Sequence, residues 1–556
     1  MFPWYLTILL CLASSARIFA AGPIRGGTLH VIERAEPKTL NPVILMDGPS
    51  RAIAGRLHAD LITVDRFTQR TVPSLAESWT HSADGRTYTL KLRAGVKFSD
   101  GHPFTADDVV FSFEVYLDPK VNSPQRDLLL IDDQPIQVTK RDALTVIVRL
   151  PGPFAAAERL FDSVAILPKH KLEAAWRAGK LTEAWPLSTP PAEIAGLGAF
   201  RLREYRPGEA IVMERNPYYW KRGADGKSLP YLDAIEMRFA ADDDAQLARF
   251  ATGELDIVNR VVPKSIPFLK SRGATLEDLG PGLEYNFLCF NLSPGSPKLS
   301  WFEKREFREA LSLAVDRESM ARLVFEGRAE PILGHVTPGN KQWFSSSLAK
   351  PKRSLETARE RLRAAGFSWN SHGSLVDARG KSVEFSALVS SSSTDRNRMA
   401  TMLQADFKDL GIQMTIAPLE FRSLLDRVLN TRQFDTCLMG LGGGSPDPNA
   451  EMNVWLSSGA MHLWNPSEPK PASDWEAEID MLMKRQLKEL DPRERRKMYD
   501  RVQAIVARQA PMIFLVSPHV VAAAQPNIGN FRPSVLEHLT LWNAEELYLL
   551  PGQTRR

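Results

Sequence analysis

Residues 75–113 of this 556-residue chain read LAESWTHSADGRTYTLKLRAGVKFSDGHPFTADDVVFSF and predict two extended runs followed by a helix. Residues 88–92 alternate apolar and polar side chains, which is the period-two pattern of a half-buried strand. Residues 99–103, SDGHP, are a dense cluster of turn formers. Thr105 then predicts a helix N-cap, and the two aspartates after it suit the positive end of a helix. No side chain in this stretch is arranged for catalysis, so these residues alone predict structure only.

The order of these elements resembles the signature of a known family. A tryptophan, a strand ending in LRxGVxF and the run SDGxPFTAxDV follow one another between Trp79 and Val109. This set resembles the family 5 extracellular solute-binding proteins, the peptide/nickel-type receptors of ABC importers. Residues 216–220, NPYYW, and 314–317, AVDR, resemble further elements of the family. The resemblance covers residues 26–549, which is nearly the whole chain.

The resemblance implies the fold class. It is α/β, a periplasmic-binding-protein-like fold of the large three-domain type, with two lobes around a ligand cleft. The implied division is a signal peptide at 1–21, domain I in three parts at 22–58, 193–279 and 511–556, an inserted domain II at 59–192, and domain III at 280–510. No low-complexity linker separates these regions. We therefore expect the chain to pass between the lobes more than once.

Composition describes an ordinary folded protein, with 44% hydrophobic and 24% charged residues. The 70 basic and 66 acidic residues are spread without a Lys/Arg block, so nucleic-acid binding is not predicted. A short apolar run at 2–13 and small residues at 20–22 predict a secretory signal peptide. We therefore expect a periplasmic or extracytoplasmic location.

Two cysteines, Cys289 and Cys437, follow the predicted cleavage site, and both lie in apolar, strand-like runs. We expect buried free thiols, with a single disulfide as the alternative in an exported protein. Neither cysteine belongs to a metal-ligand pattern, and the ten histidines are scattered singly. The sequence therefore predicts no metal site and no cofactor.

A search for catalytic motifs favours a binding protein over an enzyme. The chain has no phosphate loop of the form GxxxxGK[ST], no GxSxG elbow and no HExxH pair. We expect no catalytic residues. The alternative from a different class is an exported hydrolase of a polymer, because carboxylates are abundant and the sequence does not exclude a glycosidase-like pair.

Two segments meet the demands of a cleft between lobes, which are exposed backbone, a few polar groups and a hinge. Residues 282–287 lie where the family chain crosses into its last lobe. Residues 440–449 are similar to the cleft loop WxxDxxDP of peptide-binding members. The predicted ligand-binding residues are Glu284, Tyr285, Asn286, Arg396, Leu441, Gly442, Gly443, Gly444, Asp447, Asn449 and Trp464.

The second segment departs from the family pattern. The family carboxylate that holds a peptide's free ammonium aligns with Gly444, and the family tryptophan aligns with Leu441. Enclosing an ammonium without its carboxylate costs roughly 3–5 kcal/mol. Either Asp447 or another acid substitutes, or the ligand has no free amino terminus at that point.

The resemblance implies an exported substrate-binding component of an ABC importer. Such a protein, a monomer, captures a peptide or peptide-like solute between its lobes. It delivers the solute to a membrane permease that a separate ATPase drives, and no nucleic acid is involved. An oligosaccharide or a metal chelate is the alternative ligand within the same fold.

Overall fold

The structure is a computed structural model that describes residues 23–162, 164–240, 242–348, 352–442, 445–536 and 539–550. The predicted signal peptide and its cleavage site, and also Gly443 and Gly444, lie outside the described residues. None of the described helices combines the length and the apolar character that crossing a membrane requires.

The described strands, numbered in chain order, are β1 Thr28–Glu33, β2 Ile62–Val64, β3 Thr71–Pro73, β4 Ala76–His81, β5 Thr87–Leu92, β6 Leu130–Ile131, β7 Gln134–Pro135, β8 Gln137–Asp142, β9 Thr145–Arg149, β10 Phe200–Arg206, β11 Ala210–Arg215, β12 Ala234–Phe239, β13 Ile257–Val258, β14 Thr275–Pro281, β15 Glu284–Phe290, β16 Ala329–Pro331, β17 Ser368–Trp369, β18 Leu375–Val376, β19 Glu384–Ser390, β20 Gln413–Leu419, β21 Thr436–Gly442, β22 Met512–Phe514, β23 Val516–Ala524, β24 Ile528–Gly529 and β25 Tyr548–Leu549.

The described α-helices are α1 Gly48–Leu57, α2 Ala106–Leu117, α3 Lys169–Arg177, α4 Asp243–Ala251, α5 Ile266–Ser271, α6 Leu299–Phe302, α7 Arg305–Ala314, α8 Arg317–Val324, α9 Leu355–Ala364, α10 Thr394–Lys408, α11 Phe421–Leu425, α12 Met452–Trp455, α13 Asp474–Gln486 and α14 Pro492–Gln509.

The stretch 75–113 folds as its pattern predicts. Strand β5 lies inside the antiparallel sheet β4-β5-β9-β8, and its alternate residues Tyr88, Leu90 and Leu92 are buried. Helix α2 begins after Thr105, whose side chain accepts from a backbone N–H while Asp108 accepts from the Thr105 backbone N–H. This reciprocal pair is a capping box, and it satisfies donors that a helix start leaves without partners.

A second sheet, β1-β12-β11-β10, joins the beginning of the chain to residues about 200 positions later. Strand β1 pairs in parallel with β12, with Thr28 opposite Ala234 and Glu33 opposite Phe239. Strand β23, near the end of the chain, pairs with β13, β14 and β16. Segments far apart in sequence therefore share sheets, while the domain boundaries given above remain a prediction.

A five-stranded sheet, β20-β19-β21-β15-β22, forms the centre of the region after residue 284. Strand β15 pairs antiparallel with β21, so that Glu284 lies opposite Gly442 and Cys289 opposite Cys437. Both cysteines are free and fully buried, which confirms the prediction of buried thiols.

The end of the chain differs from the sequence prediction. The apolar runs from residue 513 on to 541–543 predict a strand-rich tail, but residues 541–543 form a turn. Side chains rather than a sheet hold this segment, since Trp542 Nε1 donates to the Arg532 carbonyl oxygen at 2.6 Å and Asn543 Nδ2 to that of Asn530 at 3.1 Å. The strand prediction was wrong here because apolar residues were buried by loop packing instead of by pairing.

Candidate functional site

A cavity of about 830 Å³ lies between the five-stranded sheet and strand β23, which belongs to the sheet β13-β23-β14. From the first side come Glu284 and Asn286 of β15, Gly442 at the end of β21 and the beginning of α10. Residues 518–521 of β23 face them. This volume lies within the roughly 300–1,000 Å³ that small-ligand sites occupy.

Strand alternation decides which predicted residues of β15 reach the cavity. Successive side chains of a strand point to opposite faces. Glu284 and Asn286 line the cavity, whereas Tyr285 and Phe287 lie in the apolar core on the other face. Tyr285 is fully buried, with its ring 5.8 Å from that of Phe514. Tyr285 is therefore a core residue, and the sequence prediction that it contacts ligand needs this correction.

Arg396, near the start of α10, is bound to both polar residues of β15. Its Nε donates to Asn286 Oδ1 at 3.0 Å, and its Nη2 donates to Glu284 Oε1 at 3.1 Å. A second guanidinium, that of Arg260, lies 3.6 Å from the other Glu284 oxygen. The carboxylate of Glu284 is thus fixed between two arginines in the cavity wall.

Gly440 makes room for Arg396, and sequence reasoning missed its role. Gly440 lies opposite Asn286 in the β15–β21 pairing. A Cβ at this position would fall on Nη2 of Arg396 and lie 3.0 Å from Asn286 Oδ1. Only a residue without a side chain lets the guanidinium cross this strand to reach Glu284. The role of Gly440 follows from its pairing with Asn286 on β15, and the sequence alone does not show which residues pair across strands.

Guanidinium groups outnumber carboxylates in the cavity wall. The arginines are Arg34, Arg51, Arg260, Arg328 and Arg396, while the acids are Glu284 and Asp395. Burial raises the pKa of Asp395, against the opposing effect of Arg398 and Arg396. The lining side chains therefore carry a net positive charge, although four of the five arginines already pair with a carboxylate.

Two of these arginines are joined to acids just outside the wall. Arg34 pairs with Asp243 at 2.6 Å, and Arg328 pairs with Asp278. The Asp278 carboxylate also lies 2.9 Å from Nδ1 of His519. The arginines come from segments with no local motif, which is why sequence reasoning identified only Arg396.

The segment 440–449 divides between cavity and core. Gly442 lines the cavity, while Leu441 is partly buried against the same core as Tyr285. Asp447 accepts from Arg495 Nη1 at 2.8 Å and Nη2 at 2.7 Å. It also accepts from the backbone N–H of Asn449, within a short turn of 3-10 helix. Asp447 and Asn449 do not line the 830 Å³ cavity, so Asp447 does not supply the carboxylate that Gly444 lacks.

Trp464 is the other sequence-predicted residue that lies elsewhere. Its side chain is fully buried, and its Nε1 donates to Glu476 Oε1 at 2.8 Å. It lies in the core formed around α12, α13 and α14, and does not line the cavity. The structure thus brings together Glu284, Asn286, Arg396 and Gly442 and separates them from Tyr285, Leu441, Asp447, Asn449 and Trp464.

The fold and the site define a solute-binding protein of the periplasmic-binding fold. Its sheets combine strands from distant parts of the chain, and its solute-sized cavity has polar groups on both walls. The family described as bacterial extracellular solute-binding proteins, family 5 Middle, matches residues 70–462, and the chain belongs to this family. It is a family of extracytoplasmic binding proteins and not of enzymes.

Several known proteins are similar over most of their length. A probable ABC transporter-binding protein of Deinococcus radiodurans is 30% identical over 89% of this chain and 87% of that protein. The substrate-binding protein CtaP of Listeria monocytogenes has a TM-score of 0.78 at 25% identity, covering 94% of this chain and 99% of its own. The oligopeptide-binding protein AppA of Bacillus subtilis, solved with a nonapeptide, has a TM-score of 0.69 at 26% identity, covering 95% and 99%.

Proposed function

We propose that this protein is the substrate-binding component of an ABC importer and captures a peptide or peptide-like solute in the 830 Å³ cavity. It then delivers the solute to a membrane permease that a separate ATPase drives. Support comes from family membership and from AppA, a relative whose name states oligopeptide binding and whose structure holds a nonapeptide. The protein acts as a monomer, outside the cytoplasm, after export through its N-terminal signal peptide, and performs no catalysis.

One observation carries the proposal, namely that Glu284 and Asn286, at the start of strand β15, form a fixed polar wall with Arg396 of α10. Arg396 and Arg260 orient Glu284, and Asn286 is fully buried beneath them. Groups whose rotamers are held before the ligand arrives lose little entropy on binding, which is how a receptor gains affinity. The wall is therefore preorganised for a polar solute.

The charge of the cavity narrows the solute class. Asp447 already forms an ion pair with Arg495. Arginines outnumber acidic residues among the side chains that line the cavity. A solute with carboxylates gains charge-assisted hydrogen bonds from guanidinium groups, which are stronger than neutral ones. We therefore expect the bound peptide or peptide-like compound to carry carboxylates and not to depend on a free amino terminus.

Native mass spectrometry of protein purified without denaturation tests the proposal directly, because a tight ligand remains bound. A thermal-shift screen then uses a library of tri- to pentapeptides in free, N-acetylated and C-amidated forms. Ligands that bind only the folded state raise the melting temperature. We expect free and N-acetylated peptides to raise it and amidated ones to do so less. An oligosaccharide or a metal chelate as the retained molecule would overturn the peptide assignment, and turnover of a polymer would overturn the receptor.

Two cavity variants connect the screen to the geometry. Arg396→Gln and Arg260→Gln each remove a cation from the wall, and we expect at least about a tenfold loss of affinity for the best library peptide. Arg379→Gln is the matched control, since Arg379 is exposed and does not line the cavity. Equal affinities of all three variants would contradict the assignment of this cavity as the binding site.

A further inference from the structure

A second polar cluster lies in the apolar core, away from the cavity. It consists of His462, Asn465 and Glu468 in the segment between α12 and α13, and of Glu476 in the first turn of α13. Their exposed fractions are 0%, 2%, 5% and 4%, so all four are buried. None of them lines the 830 Å³ cavity. Buried polar groups of this kind need partners.

Three atoms of the cluster have no hydrogen-bond partner although they are buried. They are Nε2 of His462, Oδ1 of Asn465 and Oε2 of Glu468. Leaving such an atom unsatisfied costs about 1–3 kcal/mol, and more when the group is charged. Two of these atoms, His462 Nε2 and Glu468 Oε2, lie 4.0 Å apart, which leaves room for a cation between them.

The imidazole of His462 is oriented for this role. Its Nδ1 lies 3.1 Å from the carbonyl oxygen of Val454, which can only accept, so Nδ1 carries the proton. Nε2, which has a lone pair when the ring is neutral, faces Glu476 Oε1 at 3.7 Å and Glu468 Oε2 at 4.0 Å. Both distances are too long for a hydrogen bond. A metal-ligating histidine commonly donates its other ring N–H to a backbone carbonyl in this way.

The acids are held by outer partners. Glu476 accepts from Trp464 Nε1 at 2.8 Å through one oxygen and from the hydroxyl of Ser473 at 2.7 Å through the other. The amide nitrogen of Asn465 donates to Glu468 Oε1, which leaves Glu468 Oε2 and Asn465 Oδ1 for another partner. The ring of Trp464 also packs 3.9 Å from that of His462. Trp464, which was predicted to contact solute, instead positions this cluster.

The donor set matches a divalent transition ion. The ligand atoms of His462, Glu468 and Glu476 all lie within 4.8 Å of one another. Two carboxylates and a neutral imidazole carry two negative charges, which one divalent ion neutralises. Asn465 Oδ1, a buried oxygen without a partner in the same segment, is the candidate for a fourth donor, and four donors is the number of a closed structural zinc site. Ligand atoms around tetrahedral zinc are about 3.4 Å apart, so the ligand atoms of this site move closer to one another, by up to about 1.4 Å for a pair, when an ion binds.

We propose that His462, Glu468 and Glu476, completed by Asn465 Oδ1, bind one divalent transition-metal ion such as Zn²⁺. The ion fastens the segment 456–472 to the start of α13. It is structural, because the site is closed to solvent and leaves no position for a substrate. The spacing of these residues, 462, 465, 468 and 476, matches no familiar zinc motif, and for this reason the sequence predicted no metal.

Metal analysis of untagged protein tests the site. Wild-type protein is unfolded in EDTA, refolded with or without ZnCl₂, dialysed and analysed by plasma mass spectrometry and thermal melting. We expect about one zinc per chain after refolding with ZnCl₂ and a higher melting temperature than that of the metal-free protein. Wild-type protein that retains no zinc and melts at the same temperature in both preparations would overturn the proposal.

Variants locate the ion. Glu468→Gln keeps the shape of the side chain but removes a charge, and His462→Gln removes the ring nitrogen. We expect both to retain less than about a tenth of the wild-type zinc and to lose the melting response. Glu478→Gln is the matched control, since Glu478 lies on the same helix α13 and pairs with Arg501 at the surface. Circular dichroism checks that the variants fold, and full zinc in Glu468→Gln would overturn the assignment even if His462→Gln failed to fold.

Discussion

At the scale of single residues, Gly440 and Arg396 show how one missing side chain positions a charged one. The guanidinium of Arg396 crosses strand β21 over Gly440 to reach Glu284 and Asn286. Gly442, two residues further along, has only ordinary contacts with Glu284 at 3.7–3.9 Å from an added Cβ. The two glycines therefore carry different steric constraints although they occupy the same face of one strand.

We expect Gly440→Ala to lower the free energy of unfolding by about 1–3 kcal/mol, because the added methyl forces Arg396 out of its place. Gly442→Ala should change it by less than about 0.5 kcal/mol. Urea denaturation of both variants measures the difference. Equal free energies of unfolding for Gly440→Ala and Gly442→Ala would show that Arg396 moves aside without loss of stability.

Glu451 is a residue whose ionisation opposes folding. Its carboxylate accepts from Trp455 Nε1 at 2.8 Å, and burial raises its pKa to about 7. Between its ordinary pKa of 4.5 and 7, the folded state holds a proton that the unfolded chain has released. The free energy of unfolding therefore falls as the pH rises through this window and stays lower above it.

Glu451→Gln should remove this loss of stability at high pH, since the amide side chain keeps the shape of the carboxyl group and cannot ionise. We expect the free energy of unfolding of the variant to match that of wild type near pH 4.5 and to exceed it by about 3 kcal/mol at pH 8. Urea denaturation at both pH values measures this, with exposed Glu494→Gln as the control. The same pH slope in wild type and Glu451→Gln would contradict the assignment.

At the scale of elements, the secondary structure of residues 75–113 was predicted correctly because it depends on contacts between residues close in sequence. Thr105 and Asp108 cap α2 through contacts only three residues apart, and β5 alternates over five residues. Alternation and capping involve only neighbouring residues, so the sequence alone predicts both. The strand prediction at 541–543 was wrong, because side-chain hydrogen bonds to the backbone of Arg532 and Asn530 hold this segment as a turn and no local pattern shows them.

The capping box gives an element-scale prediction. Thr105→Ala removes the side-chain acceptor at the start of α2, and we expect a loss of about 1 kcal/mol in the free energy of unfolding. Thr401→Ala is the control, because Thr401 is an exposed interior residue of α10, where alanine is a better helix former. Guanidinium denaturation compares the two, and a loss in Thr401→Ala equal to that in Thr105→Ala would refute a specific capping effect.

At the scale of the whole molecule, β15 and β21 are interior strands of the five-stranded sheet, and they carry both described cysteines. Burial raises the pKa of the Cys289 thiol well above its ordinary value. A thiol is reactive as its thiolate and only where reagent reaches it. Reaching either cysteine therefore requires the central sheet to open.

We expect no thiol of native protein beginning at residue 22 to react with Ellman's reagent over minutes, and two to react in denaturant. The rate in intermediate urea should follow global unfolding, because the strands belong to the most protected part of the fold. Rapid reaction in the native state would show that the sheet opens locally. No reaction in denaturant without reductant would reveal a disulfide instead.

The sequence by itself determined the family, the fold class and the local elements, because these depend on short-range patterns such as alternation in β5 and capping at Thr105. It also pointed to Glu284, Asn286, Arg396 and Gly442, which line the cavity. Only the tertiary structure decided that Tyr285 and Trp464 are core residues, and that Asp447 is committed to Arg495. The physical reason is that the face of a strand and the partner of a charge depend on neighbours distant in sequence. The buried polar cluster around His462 likewise exists only once the chain has folded.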